Sequence, residues 1–577
     1  MNLPIQKRLR IAFWALAILL GASQAWVSRF DLVNDTVSYL DMGDFFFHGH
    51  PAALINGIWS PLYAFLLGAT LAISKPSLHD EYPVIHLLLF FIFLFAVACF
   101  DFFIQQLPFL RRISHLENSL SPSDWPWLTV AYTIFLWSSL GLIGTYETNP
   151  DMLVAALFYL SCGLLLRIAC THATWKTYLA LGVVLGLSYL TKGVMFPLSL
   201  ILLATAWLAA KQNSRRVLIS VAAFFVISVP FIAALSLQKG HLTTGESGKY
   251  NYAVHVNGIP RHHWQGGSSS AGLPIHPTRE IFSSPDTFEF KTPLPGTYPA
   301  WYDPTFWYEG VTPHFHPRQQ LRAIFRNLHF EFLTVFYALN GIFFSTLLIV
   351  VYEAKSKLRV LENLFRSWFL LVPSAIGIAL YAFVHYETRY VGPFFAVLGV
   401  CLFACIFWAD DFPTRRLFSG IAALQVLVFL GLFAVPAIAG VRHTWTSDAG
   451  SYQDIAEGAK KLGLRPGDQI ASLNFSNLGT VMWARLARLQ IIAEVYYWPG
   501  GHEGSPQSFW GSDPATQEKV LQRLAQTGAK AVVSSDIPSG SEASHWSRIG
   551  NTGYYLRWLN SEAVASEKSV SDSNGPK

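Results

Sequence analysis

Apolar residues come in long unbroken blocks along most of the chain, and polar residues collect in the gaps between them. The blocks run over roughly 11–28, 83–105, 126–142, 151–170, 175–191, 194–210, 216–237, 331–352, 367–386, 391–409 and 417–438. A helix needs about 20 mostly apolar residues to cross the hydrocarbon core of a bilayer. The pattern therefore predicts an α-helical polytopic membrane protein with about eleven transmembrane helices. One further block, "SPLYAFLLGATLAIS" from Ser60 to Ser74, is short for a crossing and reads as an interfacial or re-entrant helix.

The polar gaps are of two kinds. Most are short turns, but two are long. The segment 238–330 has ten prolines and eight histidines, with Trp264, Trp301 and Trp307 among them. It is too long for a plain connector. Beyond about residue 441 the pattern changes. "YQDIAEGAKKLG", "NLGTVMWARLA" and "ATQEKVLQRLAQTG" have helical periodicity, and "DQIASL", "LQIIAEVYY" and "AKAVVSS" read as strands. Helix and strand in alternation predict a small α/β domain. The expected organisation is thus a membrane domain over 1–440 that includes the loop 238–330. A soluble α/β domain over 441–562 and a Ser-rich disordered tail over 563–577 follow.

Charge orients the spans. With Ser60–Ser74 left out, the basic clusters Lys7/Arg8/Arg10, Arg111/Arg112, Lys211/Arg215/Arg216 and Arg415/Arg416 all fall on one side. Lysine and arginine prefer cytoplasmic loops. The reading is a multi-pass protein of the plasma (inner) membrane, with a cytoplasmic N-terminus and both large polar segments outside. Counting Ser60–Ser74 as a crossing would carry Arg111/Arg112 outside. The N-terminal "QKRLR", apolar core and "GASQA" have the outline of a signal peptide. The apolar run continues to Val27, which favours a retained anchor.

Composition agrees. Only 13% of the 577 residues are charged and 52% are hydrophobic, where a soluble chain carries about 25% charged. Aromatics at 15% suit many interfacial side chains. The net charge of +5 is accounted for by basic cytoplasmic loops and implies no nucleic-acid partner. The five cysteines all lie inside apolar blocks, so neither a disulfide framework nor a cysteine zinc site is expected.

The outer turns carry the chemistry. "RFDLVNDTVSYLDMGDFFFHGHP" (Arg29–Pro51) holds Asp35, Tyr39, Asp41 and Asp44. "GTYETNPD" holds Glu147 and Asp151, "LTKG" holds Lys192, and "HYETRY" holds Glu387 and Arg389. A single such charge is usually a solvated one, but here they recur on one face. Carboxylates beside Lys and Arg can deprotonate a hydroxyl and bind a phosphate. Asp41 and Asp44 are three apart and share a helix face, which either lines a cleft or meets solvent. Tyr39 reads more as packing than as chemistry. His314 and His316 form an H-x-H pair without a carboxylate pattern beside it. A divalent metal is the one cofactor left open.

These motifs resemble the GT-C glycosyltransferases. "DTVSY" is similar to the acidic motif of their first extracytoplasmic loop, and "SPLY" to the entry of their short helix. "GTYETNPDMLVAALFYL" and "GLSYLTKGVMFPL" follow in the order found in the aminoarabinose, protein O-mannosyl and oligosaccharide-core branches. "ETRYVGPFF" is similar to their late Arg-Tyr-x-x-Pro turn. The resemblance spans roughly residues 5–405. It implies transfer of a sugar from a polyprenyl-phosphate-linked donor to a lipid, glycan or protein acceptor on the outer face of the membrane. It places Asp35 as the general base, with Lys192 and Arg389 on the departing phosphate. Asp41, Asp44, Glu147, Asp151 and Tyr39 are then substrate-binding candidates. The sequence departs from the pattern where Thr36 follows Asp35 in place of a second acid, which weakens a metal-bridging pair. Glu147 and Asp151 are rivals for the second acidic position. Three other readings compete, one of them a structural or sensor protein whose C-terminal domain binds a partner. A flippase for the same lipids would place charges near the midplane, whereas these spans hold few. A polysaccharide polymerase or ligase would work through Arg261, His262 and His263.

Overall fold

Among the described residues the apolar blocks form helices, because helices satisfy every backbone polar group internally where water is absent. The computed structural model describes residues 5–114, 125–170, 173–267, 271–337, 357–405, 412–446, 451–476, 479–497, 508–535 and 545–559. The expected 331–352 span lies largely outside these residues, and the 563–577 tail entirely so.

The first ten α-helices are α1 (Ile5–Val27), α2 (Asn34–Phe47), α3 (Pro61–Ser74), α4 (Glu81–Ser114), α5 (Trp125–Leu136), α6 (Asp151–Ala169), α7 (Trp175–Thr191), α8 (Met195–Ala209), α9 (Val217–Lys239) and α10 (Ser247–His255). Later long helices are Pro317–Tyr337, Trp368–Phe383, Thr388–Cys405 and Phe412–Thr446. Among the described residues six helical segments are long and apolar enough to cross a membrane: Ile5–Val27, Glu81–Pro108, Trp125–Ile143, Asp151–Ala169, Asn213–Lys239 and Arg416–Arg442.

Helix α3 has 14 residues and so rises only about 21 Å, short of the bilayer core. Pro61 starts it, where a missing N–H costs nothing, and Lys75 ends it in a left-handed turn. It packs on α2 backbone to backbone. A Cβ at Gly43 would lie 2.4 Å from the Ala64 carbonyl oxygen, and one at Gly68 2.7 Å from Gly43. Only glycine at both positions lets the two helices cross this closely.

The soluble part is built on a seven-stranded sheet in the order β1-β2-β4-β3-β5-β7-β6. The strands are β1 (Arg279–Ser283), β2 (Asp286–Glu289), β3 (Gln469–Ser472), β4 (Gln490–Val495), β5 (Ala531–Ser534), β6 (Ser547–Arg548) and β7 (Tyr555–Trp558). Strand β3 pairs parallel with β4 and β5. Helices Thr480–Leu486 and Pro514–Gln526 lie in those connections, because parallel neighbours need a crossover. Strand β2 comes from the loop 238–330 and pairs antiparallel with β4, Thr287 opposite Val495. The loop and the C-terminal segment, which the hydrophobic pattern separates, therefore share one sheet. The expected boundary at 441 falls inside the helix Phe412–Thr446.

Candidate active site

Two turns are locked together before any charge is considered. Helix α5 continues as a π-helical turn, Trp137–Ile143, which Gly144 ends at φ +79°. Such turns recur at functional sites. The Gln24 side chain accepts the Thr145 N–H at 2.6 Å and donates to the Leu140 carbonyl at 3.0 Å. The chain then reaches Thr148, whose hydroxyl accepts the Val33 N–H at 3.0 Å. The Thr148 carbonyl accepts from the Thr36 and Tyr63 hydroxyls at 2.8 and 2.7 Å. The start of α2 is thereby fixed against the start of α6. Asp35 sits in the first turn of α2 and Asp151 in the first turn of α6. Both carboxylates meet the positive end of a helix.

Two cations complete the group. Lys192 is the residue at which α7 stops, and its ammonium reaches Asp151 Oδ1 at 2.5 Å. Arg389, in the first turn of Thr388–Cys405, faces three carboxylates: Asp151 at 3.3 Å, Glu147 at 3.4 Å and Asp35 at 4.0 Å. Asp151 thus holds both cations side by side, one on each oxygen. The rivals Glu147 and Asp151 both belong to the cluster, but only Asp151 touches both cations. The Tyr390 ring lies 3.6 Å from the Lys192 ammonium, a cation–π contact. Burial pushes the Lys192 ammonium down, with Asp151 opposing, and pushes the Glu147 carboxyl up, with Arg389 opposing.

A cavity of about 460 Å³ opens beside this cluster, lined by Asp35, Tyr39, Lys192, Arg261, Trp301 and Arg389 with further aromatic and polar side chains. Asp35 Oδ1 accepts the Trp301 indole N–H at 3.1 Å. Tyr39 is buried against the rings of Trp59 and Tyr63, with centroids 5.3 and 5.2 Å away, and reaches the cavity wall. Asp35, Glu147 and Asp151 surround Arg389 rather than a common metal position. Among the described residues no three His, Cys, Asp or Glu side chains form a metal-sized group.

The structure does not bring Asp41 and Asp44 to the cavity, and neither lies on a solvated face. They turn toward the sheet domain. Arg485, on the helix Thr480–Leu486, is 1% exposed; it pairs with Asp44, with Asp41 at 3.2 Å and with Glu81 at 3.5 Å. Arg488 adds a contact to Glu81 at 2.7 Å. The reason is charge neutralisation: a buried guanidinium requires carboxylates, and α2 and α4 supply them. Asp41 also accepts from the Thr297 N–H at 2.6 Å and the Thr297 hydroxyl at 3.1 Å.

Burial raises the Asp41 carboxyl from 3.8 to about 6, with Arg485 opposing. Because the folded value is the higher, folding takes up a proton. This contribution to stability is complete below about pH 4 and is lost as pH rises through about 6. Asp41→Asn should flatten that dependence, so its unfolding midpoint in detergent should change less between pH 4 and 6 than that of the wild type.

His262 and His263 also lie away from the chemistry. His263 is buried, 2.6 Å from Glu494 Oε1 of β4, and His262 packs between Trp301 and Phe475. Both join the loop to the sheet domain. Arg261 does line the cavity. His314 and His316 form no metal group among the described residues. The residues that sequence reasoning missed are Trp301, Tyr390 and the stacked pair His255–His385, whose rings lie 3.6 Å apart on the cavity wall. Tyr390 follows Arg389 directly and was visible in the motif. Trp301 and His255 lie in the proline-rich loop, where no local period marks a contact.

No protein-family model matches the sequence, and no curated protein matches it. Solved structures do. ArnT from Cupriavidus metallidurans in the apo state superposes with a TM-score of 0.52 at 13% identity, over 95% of this chain and 98% of that one. The same protein bound to undecaprenyl phosphate gives 0.51 at 12% identity, over 96% and 98%. The chain has the GT-C fold. Coverage near the full length of both chains means that this GT-C fold includes the sheet domain as well as the membrane helices. Within it, separate segments bring Asp35, Lys192 and Arg389 to the cavity wall, with Glu147 and Asp151 paired to the cations.

Proposed function

We propose that the chain is a glycosyltransferase that moves a sugar from a polyprenyl-phosphate-linked donor to an acceptor hydroxyl at the outer face of the plasma membrane. The observation that carries this reading is the cavity edge where Asp35 lies across from Arg389 and Lys192. It holds a carboxylate able to take a proton, opposite two cations able to receive a phosphate. The fold it shares with an undecaprenyl-phosphate-bound ArnT supports the carrier class.

The step balances as follows. The acceptor oxygen attacks the anomeric carbon while Asp35 takes the hydroxyl proton. The acceptor O–C1 bond forms, the C1–O bond to phosphate breaks, and its electron pair leaves with polyprenyl phosphate. Attack opposite the leaving group inverts the anomeric centre. The phosphate is already a good leaving group, so no general acid is required. Lys192 and Arg389 stabilise the charge that develops on it. Asp151 takes one oxygen contact from each cation, and both keep further N–H donors for the phosphate.

Arg389→Lys keeps the charge but loses the fork that meets two oxygens at once. It should weaken binding of undecaprenyl phosphate by about ten- to a hundredfold, and Lys192→Ala should act in the same direction. Unchanged affinity in both variants, measured on purified protein, would remove these residues from the phosphate site.

The chemistry also requires one side. The N-terminus is cytoplasmic and the sheet domain extracytoplasmic. A phosphatase fused at the C-terminus should be active, and a cytoplasmic reporter fused there silent. The reverse result would put the cavity on the wrong face for this donor.

A further inference from the structure

We propose that Trp301 is the positioning residue of Asp35, and that the sheet domain sets its place through a short strap, Thr297–Trp301. The proposal rests on the reading of Asp35 as base and adds what orients that base.

The strap is pinned to the sheet at one end. The Thr297 carbonyl accepts the Ile491 N–H of β4 at 2.8 Å. The Tyr298 hydroxyl donates to Glu494 Oε1 at 2.6 Å, and Glu494 is 0% exposed. The strap then runs along one face of α2. Thr297 bonds Asp41, the Trp301 carbonyl accepts the Ser38 hydroxyl at 2.9 Å, and the Trp301 indole N–H reaches Asp35 at 3.1 Å. Asp35, Ser38 and Asp41 are spaced by three, so one helix face meets one strap. The Trp59 indole N–H also donates to the Trp301 carbonyl, at 3.2 Å. Trp301 is therefore held at its backbone from two sides, and its ring is packed against Trp59 and His262. Its single N–H occupies Oδ1 of Asp35, so the acceptor proton goes to Oδ2, which lies 4.0 Å from the Arg389 guanidinium, beyond hydrogen-bond reach. A base held by one oxygen keeps that 4.0 Å separation from Arg389, where a closer pair would quench it.

Trp301→Phe keeps an aromatic ring and removes only the donor. Tyr298→Phe loosens the strap at its far end without touching the cavity. Turnover is followed as release of polyprenyl phosphate from the lipid-linked sugar pool extracted from cells lacking the protein, and undecaprenyl phosphate serves as the binding probe. Trp301→Phe should lower kcat on the order of ten- to a hundredfold, with donor KM and probe affinity within about twofold. Tyr298→Phe should lower kcat by less, also without a KM change. The double variant should fall no further than Trp301→Phe alone, because both act by one route. Multiplying effects would overturn the strap. A raised KM at normal kcat in Trp301→Phe would overturn the positioning role and make the indole a sugar platform. Asp35→Asn is measured alongside: if it is inactive while Trp301→Phe is normal, this inference fails and the proposed function stands. If Asp35→Asn turns over normally, both fail.

Discussion

Asp35→Asn folds, reaches the membrane and binds undecaprenyl phosphate as the wild type does, and it transfers sugar slower by about 10²–10⁴-fold. That factor is the usual worth of a positioned general base. Asparagine has nearly the same shape and still accepts the Trp301 N–H through its carbonyl oxygen, so the local structure is kept. What is lost is the ability to hold the acceptor proton. Asp41→Asn and Asp44→Asn should cost far less in turnover, because both side chains face Arg485 and not the cavity. A collapse of turnover in Asp44→Asn with normal folding would refute that placement.

The second large effect is on stability. Arg485→Ala should destabilise the protein by about 3–5 kcal/mol, the cost of removing one partner from a buried ion pair. The Arg485 side chain is almost wholly enclosed and faces three carboxylates from α2 and α4. Alanine leaves Asp41 buried with its charge uncompensated and Glu81 with Arg488 alone. The loss should show first as detachment of the sheet domain from the membrane helices, read by proteolysis at an unchanged detergent concentration. Arg485→Lys, with charge but no fork, should recover part of the loss. An Arg485→Ala protein that resists protease and heat as the wild type does would refute the docking role.

Arg485 also shows what the sequence hides. In "NLGTVMWARLA" it reads as one more cation on a short helix, and its partners Asp44 and Glu81 lie some four hundred positions earlier. No local period records such a pairing. The same holds for β2, whose partner β4 follows two hundred residues later. Strand pairing across that distance is set by tertiary packing, so the loop looked like a separate piece. Trp301 carried no more signal than its neighbours Trp264 and Trp307.

What was legible was local. Apolar block length marked the six described segments long enough to cross, while α3, α8, Trp368–Phe383 and Thr388–Ala404 form shorter apolar helices. The alternation after residue 441 was legible because β3, β4 and β5 are buried strands with amphipathic helices between them. The site was half legible. Asp35, Glu147, Asp151, Lys192 and Arg389 stood out because each is a charge in a short polar turn between apolar blocks. Asp41 and Asp44 shared that signal, and only the fold separates charges that face the cavity from charges that face a docked domain.

The most direct test of the central claim is lipid analysis of cells in which Asp35→Asn replaces the wild-type chain. The account predicts that a polyprenyl-phosphate-linked sugar accumulates in the membrane while one envelope decoration disappears. An unchanged lipid-linked sugar pool, with the variant protein present at its normal level, would contradict it.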